Sequence, residues 1–281
     1  MTKCQSRAGA AVALALATGA GAQVYYVEGF SGGANAGAWT FGAPMEVIES
    51  SGGSPGAHLH GSGIDTTVPT LRTGQGVTSV FTGDYRDRSA QGLRVSIRVN
   101  ATDFSVATFR PGAILYSENG TPGDPSDDWG VYELSGATLG PPGVWVSHAF
   151  PLNSRSTTLP AGWSFIQFGP GSPANPDWNY LIRHVDRLMF SLGDPSLFYI
   201  FQMWDVGADS IQISGMPPCY VNCDHSTTQP FLNVLDFSCF INLFASGDTH
   251  ANGDASQNPP VLNVLDFACF LNNFAAGCSA P

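Results

Sequence analysis

Charge is what this chain has least of. Only 12% of its 281 residues are Asp, Glu, Lys or Arg, and Lys3 is the sole lysine. Past residue 22, nine arginines face 22 acids, a net charge of −13. Such a surface argues against nucleic acid and anionic membrane as partners, since both are gripped through clustered cations. No apolar run past the N-terminus approaches the ~20 residues that cross a bilayer, so no membrane span is expected. No G-x-S-x-G elbow marks a hydrolase nucleophile. Cysteine is missing between Cys4 and Cys219.

Turn formers are abundant instead, with 33 Gly and 20 Pro. Hydrophobic content of 43% is enough for a sizeable core. Residues 1–22 have the form of a signal peptide: Lys3 and Arg7, a short apolar core over Ala8–Leu16, then Ala20-Gly21-Ala22 as a cleavage site. The sequence thus predicts a secreted, extracellular protein, free or held at the cell surface.

From 23 to 213 the pattern is that of one β-sandwich. Leu93, Val95, Ile97 and Val99 alternate with Arg94, Ser96 and Arg98, a half-buried strand. Further strands are expected at Val24–Val27, Trp39–Phe41, Glu46–Glu49, Thr78–Thr82, Ile114–Tyr116, Gly130–Leu134, Val144–Phe150, Ser164–Phe168, Arg187–Leu192, Tyr199–Met203 and Ser210–Ile213. Gly/Pro turn clusters separate them. Asp177–Arg187 has room for a helical turn. Ser214–Pro218 reads as a linker. The closing D-V-G-A-D-S-I-Q-I at Asp205–Ile213 and Gly143-Val144-Trp145 resemble the jelly-roll modules of extracellular proteins, such as carbohydrate-binding and laminin-type sandwiches.

Several constellations in the sandwich bear on chemistry. His58-Leu59-His60 puts two imidazoles on one strand face, which can begin a zinc site or end a solvated strand. His184-Val185-Asp186 offers a base and its orienter. Asp124, Asp127 and Asp128, with Glu118 and Asn119, can cage a calcium or form a solvated turn. Glycoside hydrolysis needs two carboxylates about 5–10 Å apart, and among Glu118, Asp128 and Glu133 no pair stands out. Trp129, Trp163, Trp178, Tyr132 and Tyr180 are flat rings of the kind sugars stack on. Trp129 and Trp178 each follow a turn and an acid, where an exposed ligand-binding ring is expected. A place in the core is the alternative for each.

The last sixty residues are a tandem repeat with a period of 30, over 222–247 and 252–277. Each copy opens on side-chain oxygens, continues as L-N-V-L-D-F and enters an amphipathic helix. Phe237, Phe240, Ile241 and Phe244 share one face, as do Phe267, Phe270, Leu271 and Phe274. This loop-helix pair over 219–281 resembles a dockerin, the module that docks secreted proteins onto cohesin partners. The resemblance implies Ca²⁺ ligands at Asn222, Asp224, Ser226, Asn233 and Asp236, and at Asn252, Asp254, Ser256, Asn263 and Asp266. Each loop departs from the family. Asn222–Asp236 spans 15 residues, longer than the standard loop of about 12, and keeps only two carboxylates, so weak binding is implied. Helix caps without metal are the other reading. The pairs Val234-Leu235 and Val264-Leu265 stand where dockerins read their partners. Val234 and Val264 are expected to contact the partner, and Leu235 and Leu265 to form the seam between the helices.

Five cysteines, Cys219, Cys223, Cys239, Cys269 and Cys278, fall in this tail. An exported module so small calls for disulfides. Cys219 and Cys278 bracket the module and can clasp its ends. Cys223 pairs either with Cys239 inside its repeat, leaving Cys269 free, or with Cys269 across the repeats, leaving Cys239 free. The first is favoured because it does not depend on how the repeats pack.

The resulting expectation is mainly β: a jelly-roll-like β-sandwich followed by a small α-helical dockerin-like module. In function it is a non-catalytic glycan- or matrix-binding domain tethered to a cohesin-like or cell-surface protein. The alternatives are a polysaccharide-degrading glycoside hydrolase or lyase, and a purely structural or adhesive surface protein.

Overall fold

The computed structural model describes residues 24–86, 90–174, 176–215, 221–223, 232–248, 251–253 and 261–276. They fall into two compact units divided after Gly215. The leader and residues 216–218 of the expected linker lie outside the described residues.

The first unit is a mainly β, jelly-roll-like sandwich of two antiparallel sheets. One sheet runs β2 (Met45–Gly53), β3 (Gly56–Thr66), β11 (Gln202–Gly215), β5 (Ala90–Thr102), β8 (Val146–Pro151). β1 (Val24–Glu28) joins it along the Ile211–Ser214 edge of β11, beyond the stretch that β3 occupies. A bulge at Asp209–Ser210 marks the change of partner, and the Asp209 carboxylate accepts the backbone N–H groups of Ser54 and Ser210 there. The other sheet runs β4 (Thr70–Arg72), β10 (Arg187–Ser191), β6 (Gly112–Ser117), β7 (Trp129–Leu134), β9 (Ser164–Gln167).

Alternation decides what fills the space between the sheets. Leu93, Val95, Ile97 and Val99 of β5 all point inward and are buried. They meet Leu71, Phe190, Leu188, Leu115 and Val131 of the opposing sheet in one core. Each such side chain contributes about 1.5–3 kcal/mol by leaving water. The helical turn expected after Asp177 is α1 (Trp178–Leu181), whose N-terminus is capped by the Asp177 side chain.

Four strand expectations change. Trp39–Phe41 reduces to a single bridge between Thr40 and Arg72. Thr78–Thr82 is a turn, because Thr82 bonds back to the Val77 carbonyl and accepts from Ser79 N–H. Tyr199–Met203 and Ser210–Ile213 are parts of one strand, β11, which begins at Gln202. That strand also takes in Ser214 and Gly215, so the linker does not start at 214: Ser214 is paired with both Val24 and Gly92.

The second unit contains α2 (Val234–Ser246) and α3 (Val264–Ala276), one per repeat. Its core is Val221, Phe240, Ala251 and Phe270, flanked by Phe237, Phe244, Phe267 and Phe274. The equivalent Phe240 and Phe270 rings stack with centroids 4.2 Å apart. Ile241 and Leu271 are exposed, so the apolar stripe is narrower than its spacing predicts.

Candidate functional site

The sequence G-A-I-L-Y-S of β6 is buried at every position, on both faces of an antiparallel sheet. Ala113 and Leu115 serve the inner core. Ile114 and Tyr116 point the other way and form, with Met189 and the half-buried Tyr132, a second apolar cluster on the outer face of the five-stranded sheet. Cross-strand register builds this floor. Arg72 pairs with Met189, Met189 with Ile114 and Ile114 with Tyr132, one row across β4, β10, β6 and β7. The next row sets Arg187 opposite Tyr116 and Tyr116 opposite Gly130.

Two segments wall the floor. Phe168, just past β9, leans over Gly130 with its ring centre 5.0 Å from that of Tyr116. Gly130 has no Cβ to give up: one would stand 2.4 Å from the Leu115 carbonyl oxygen. The opposite wall is the loop carrying Asp194, Pro195, Leu197 and Tyr199. The Tyr199 hydroxyl accepts the Asp194 N–H at 3.0 Å. Between the walls lies a shallow groove of about 390 Å³, reaching from Thr67 and Arg72 to Phe168.

Polar groups along the groove are fixed by neighbours. Arg187 donates twice to Glu118 Oε1, at 2.5 and 3.1 Å, and its guanidinium lies over the Tyr116 ring. The Tyr116 hydroxyl donates to Asp128 Oδ2. Burial first, then that bond, raises the Tyr116 pKa further above 10, and burial raises that of Asp128. Asp194 Oδ1 accepts the N–H and hydroxyl of Ser196.

Of the aromatic residues singled out from sequence, Tyr132 lies on this floor. Trp129 and Trp178 do not reach solvent: they are 1% and 3% exposed. Trp129 shares the inward face of β7 with Val131. The Trp178 indole donates to the Ser156 carbonyl at 2.9 Å, held under the loop that contains it. Each follows a turn, but Trp129 faces the core between the sheets and Trp178 is covered by the loop that contains Ser156. Trp163 is also buried, donating to the Pro151 carbonyl.

The other constellations separate. His60 gives one ring nitrogen to Glu49 at 2.6 Å and the other to Asp205 at 2.8 Å. His58 is buried between Trp145 and Arg98, and Arg98 stacks on Trp145. The H-x-H is therefore an ion-pair network across β2, β3, β5 and β11. His184 bonds the Tyr180 carbonyl and Asp186 accepts from Glu118 N–H, so they form no dyad. Asp127 accepts from Asn119 and Thr121, and Asp124 from Ser126, as in a closed turn. Among the described residues no three His, Cys, Asp or Glu side chains are grouped to hold a metal.

In the repeats, Asn233 Oδ1 accepts Leu235 N–H and Asp236 Oδ2 accepts Asn233 N–H, a capping box. Asn263 and Asp266 repeat it at 2.7 and 2.8 Å. Asn222 and Asn252 are described, whereas Asp224, Ser226, Asp254 and Ser256 lie outside the described residues. Asp236 and Asp266 are fully buried. Residues 221–281 hold five Asp and no Lys or Arg, with His225 and His250 as the only basic side chains.

Val234 and Val264 are 72% and 74% exposed, matching surface positions. Leu235 and Leu265 are also exposed, not seam residues: the helices meet through their phenylalanines instead. Cys223 and Cys239 form the within-repeat disulfide, with Cα atoms 5.7 Å apart. Cys269 is disulfide-bonded as well, so it is not the free thiol that this pairing was expected to leave. Its partner lies outside the described residues, as do Cys219 and Cys278.

No family model and no curated protein matches the chain. Among solved structures it is similar to the carbohydrate-binding module CtCBM11, with 16% identity over 70% of this chain and 98% of that one and a TM-score of 0.39. An exo-β-agarase matches 71% of this chain with 25% of its own length, at 14% identity and a TM-score of 0.36. The adhesin domain K1 of Lys-gingipain from Porphyromonas gingivalis W83 matches 68% of this chain and 97% of its own, at 16% identity and a TM-score of 0.33. None of these likenesses bears on which ligand the groove takes.

Proposed function

We propose that the sandwich is a non-catalytic glycan-binding domain whose ligand lies in the groove lined by Tyr116, Phe168, Met189 and Tyr199. The observation that carries this is an apolar and aromatic floor on the outside of a sheet, bordered by hydrogen-bonding side chains. Sugars present C–H faces to rings and hydroxyls to polar edges, and a groove of this kind meets both. The non-catalytic reading is supported by the tasks its carboxylates already have. Glu118 holds Arg187, Asp128 accepts from Tyr116, and Asp194 ties its own turn.

The tail, in the same proposal, is a dockerin-like tether for a secreted protein, with the exposed Val234 and Val264 turned to a cohesin-like or cell-surface partner. Its residues suit Ca²⁺ in donor type. Asn222, Asn233 and Asp236, and Asn252, Asn263 and Asp266, are oxygen donors, and the buried aspartates stand in a module without lysine or arginine. Asp236 and Asp266 would hold the ion together with those asparagines. A carboxylate has about four lone-pair sites, so the capping box does not exhaust either aspartate.

The test of the groove is methyl NMR during titration with a panel of soluble oligosaccharides. Methyl signals of the groove-lining Met189 and Leu197 are expected to shift first, and Phe168→Ala, at an exposed ring of the groove wall, to abolish the response. Shifts centred on Trp145 and His58, on the other sheet, would move the site and overturn the assignment.

A further inference from the structure

Arginines of the sandwich generally have their guanidinium groups engaged. Arg86 donates to the Ser154 and Ser156 carbonyls and to Asn179, Arg98 to Gly52 and His58, Arg110 to Ser135, and Arg187 to Glu118. Arg72 differs. Its backbone is tied to Thr40 on both sides, but its half-buried guanidinium has no acceptor among the described residues, although it lines the groove. The turn beside it leaves room for the head group: at Gly42, where φ is +68°, a Cβ would lie 3.0 Å from Arg72 Nη2. Through its pairing with Met189, Arg72 is also the diagonal neighbour of Arg187 on the same sheet face.

We propose that the groove takes an acidic glycan, and that Arg72 binds a carboxylate or sulfate of its sugar rings. This rests on the groove being a glycan site. A guanidinium presents N–H donors in a planar fork that fits a carboxylate or sulfate bidentately, and such charge-assisted bonds are roughly twice as strong as neutral ones. A neutral hydroxyl uses only part of that fork. Glu118 is paired with Arg187, and Asp194, which lines the groove, bonds Ser196. The groove thus keeps one cation free at its β4 end and a second, partly neutralised, one strand away. The apolar floor beside them suits the ring faces of the same sugar chain.

Affinity electrophoresis of the full chain tests this on four polymers: polygalacturonate, its methyl-esterified form, a sulfated carrageenan and a neutral xyloglucan. Retention is expected on an acidic polymer and not on the esterified one, which removes the charge and keeps the backbone. Which of polygalacturonate and carrageenan retains the protein separates carboxylate from sulfate. Arg72→Gln should weaken retention about tenfold or more, the scale of one charge-assisted hydrogen bond. Arg72→Lys should fall between, keeping charge without the fork, and Arg94→Gln, on the other sheet, should change nothing. Retention on neutral polymers that survives Arg72→Gln but not Phe168→Ala overturns the acidic preference and leaves the groove as a glycan site. Retention on none of the polymers, by a protein whose circular dichroism shows it folded, overturns both.

Discussion

The guanidinium carbon of Arg187 lies 5.2 Å from the centre of the Tyr116 ring, and the two residues face each other directly across β10 and β6. The same guanidinium is ion-paired to Glu118, with side chains only 17% and 8% exposed. Removing one member of so buried a pair leaves the other charged and without its partner, which costs about 3–5 kcal/mol. Arg187→Ala should therefore lower the unfolding free energy of the sandwich by about 3 kcal/mol in urea. The double variant Arg187→Met with Glu118→Gln should recover most of that. A single variant as stable as the parent would show that the pair carries no net weight.

Glu133 occupies an inward position of β7, opposite Ala113, beneath Gly162. One of its oxygens is buried without a hydrogen bond, and burial pushes its pKa up to about 7. The folded state therefore binds the proton more tightly than the unfolded chain. Its contribution is fully present below about pH 4.5 and is lost as pH rises to about 7. Glu133→Gln should leave stability unchanged at pH 4.5 and raise it at pH 8, on the order of 1–2 kcal/mol after discounting for partial exposure. Equal effects at both pH values would remove the ionisation argument.

His60 works in a different network with the same sign. Burial pulls its pKa down, but hydrogen bonds to Asp205 and Glu49 outweigh this and hold it above 6.5. Arg98 and His58 are the basic groups facing the same cluster. A histidine raised in the folded state stabilises fully below its unfolded pKa, and loses that contribution as pH rises through the folded one. His60→Gln should cost more at pH 5.5 than at pH 9. Thermal melts of the Glu133 and His60 variants across pH separate the two contributions, since each variant flattens only its own.

The sequence showed the elements with strong local patterns and missed those set by distant partners. β5 announces itself by alternation, and the helices by the spacing of Phe237, Phe240 and Phe244. β3 does not, because Gly and Ser flank His58-Leu59-His60 on both sides. Yet Gly61 is a strand residue closely packed by its neighbours, since a Cβ there would stand 3.2 Å from both Ala43 and Phe41. The groove was invisible for the same reason. Arg72 and Arg187 are far apart in the chain, and only the register of β4, β10 and β6 brings them to one sheet face with Tyr116. G-A-I-L-Y-S could have been read as a strand buried on both faces, which in an antiparallel sheet implies a covered outer face. Trp129 and Trp178 show the reverse error, since a turn nearby does not reveal which loop closes over a ring.

Asp236 separates the two readings of the repeats, because asparagine has the same shape. Both Asp and Asn can accept the Asn233 N–H that closes the capping box. If capping is the whole role, Asp236→Asn removes a buried charge from a module without lysine or arginine, and stability holds or rises. If the carboxylate holds calcium, the same change removes a charged ligand. With Kd in the 10⁻⁴–10⁻³ M range of extracellular loops, 10 mM calcium should stabilise each repeat by about 1.4–2.7 kcal/mol. Calorimetry on the full chain should then count two sites, falling to one in Asp236→Asn or Asp266→Asn and none in the double variant. The calcium-dependent rise in melting temperature should shrink in step. Absence of binding heat, with Asp236→Asn as stable in calcium as in chelator, would assign both aspartates to the helix caps alone.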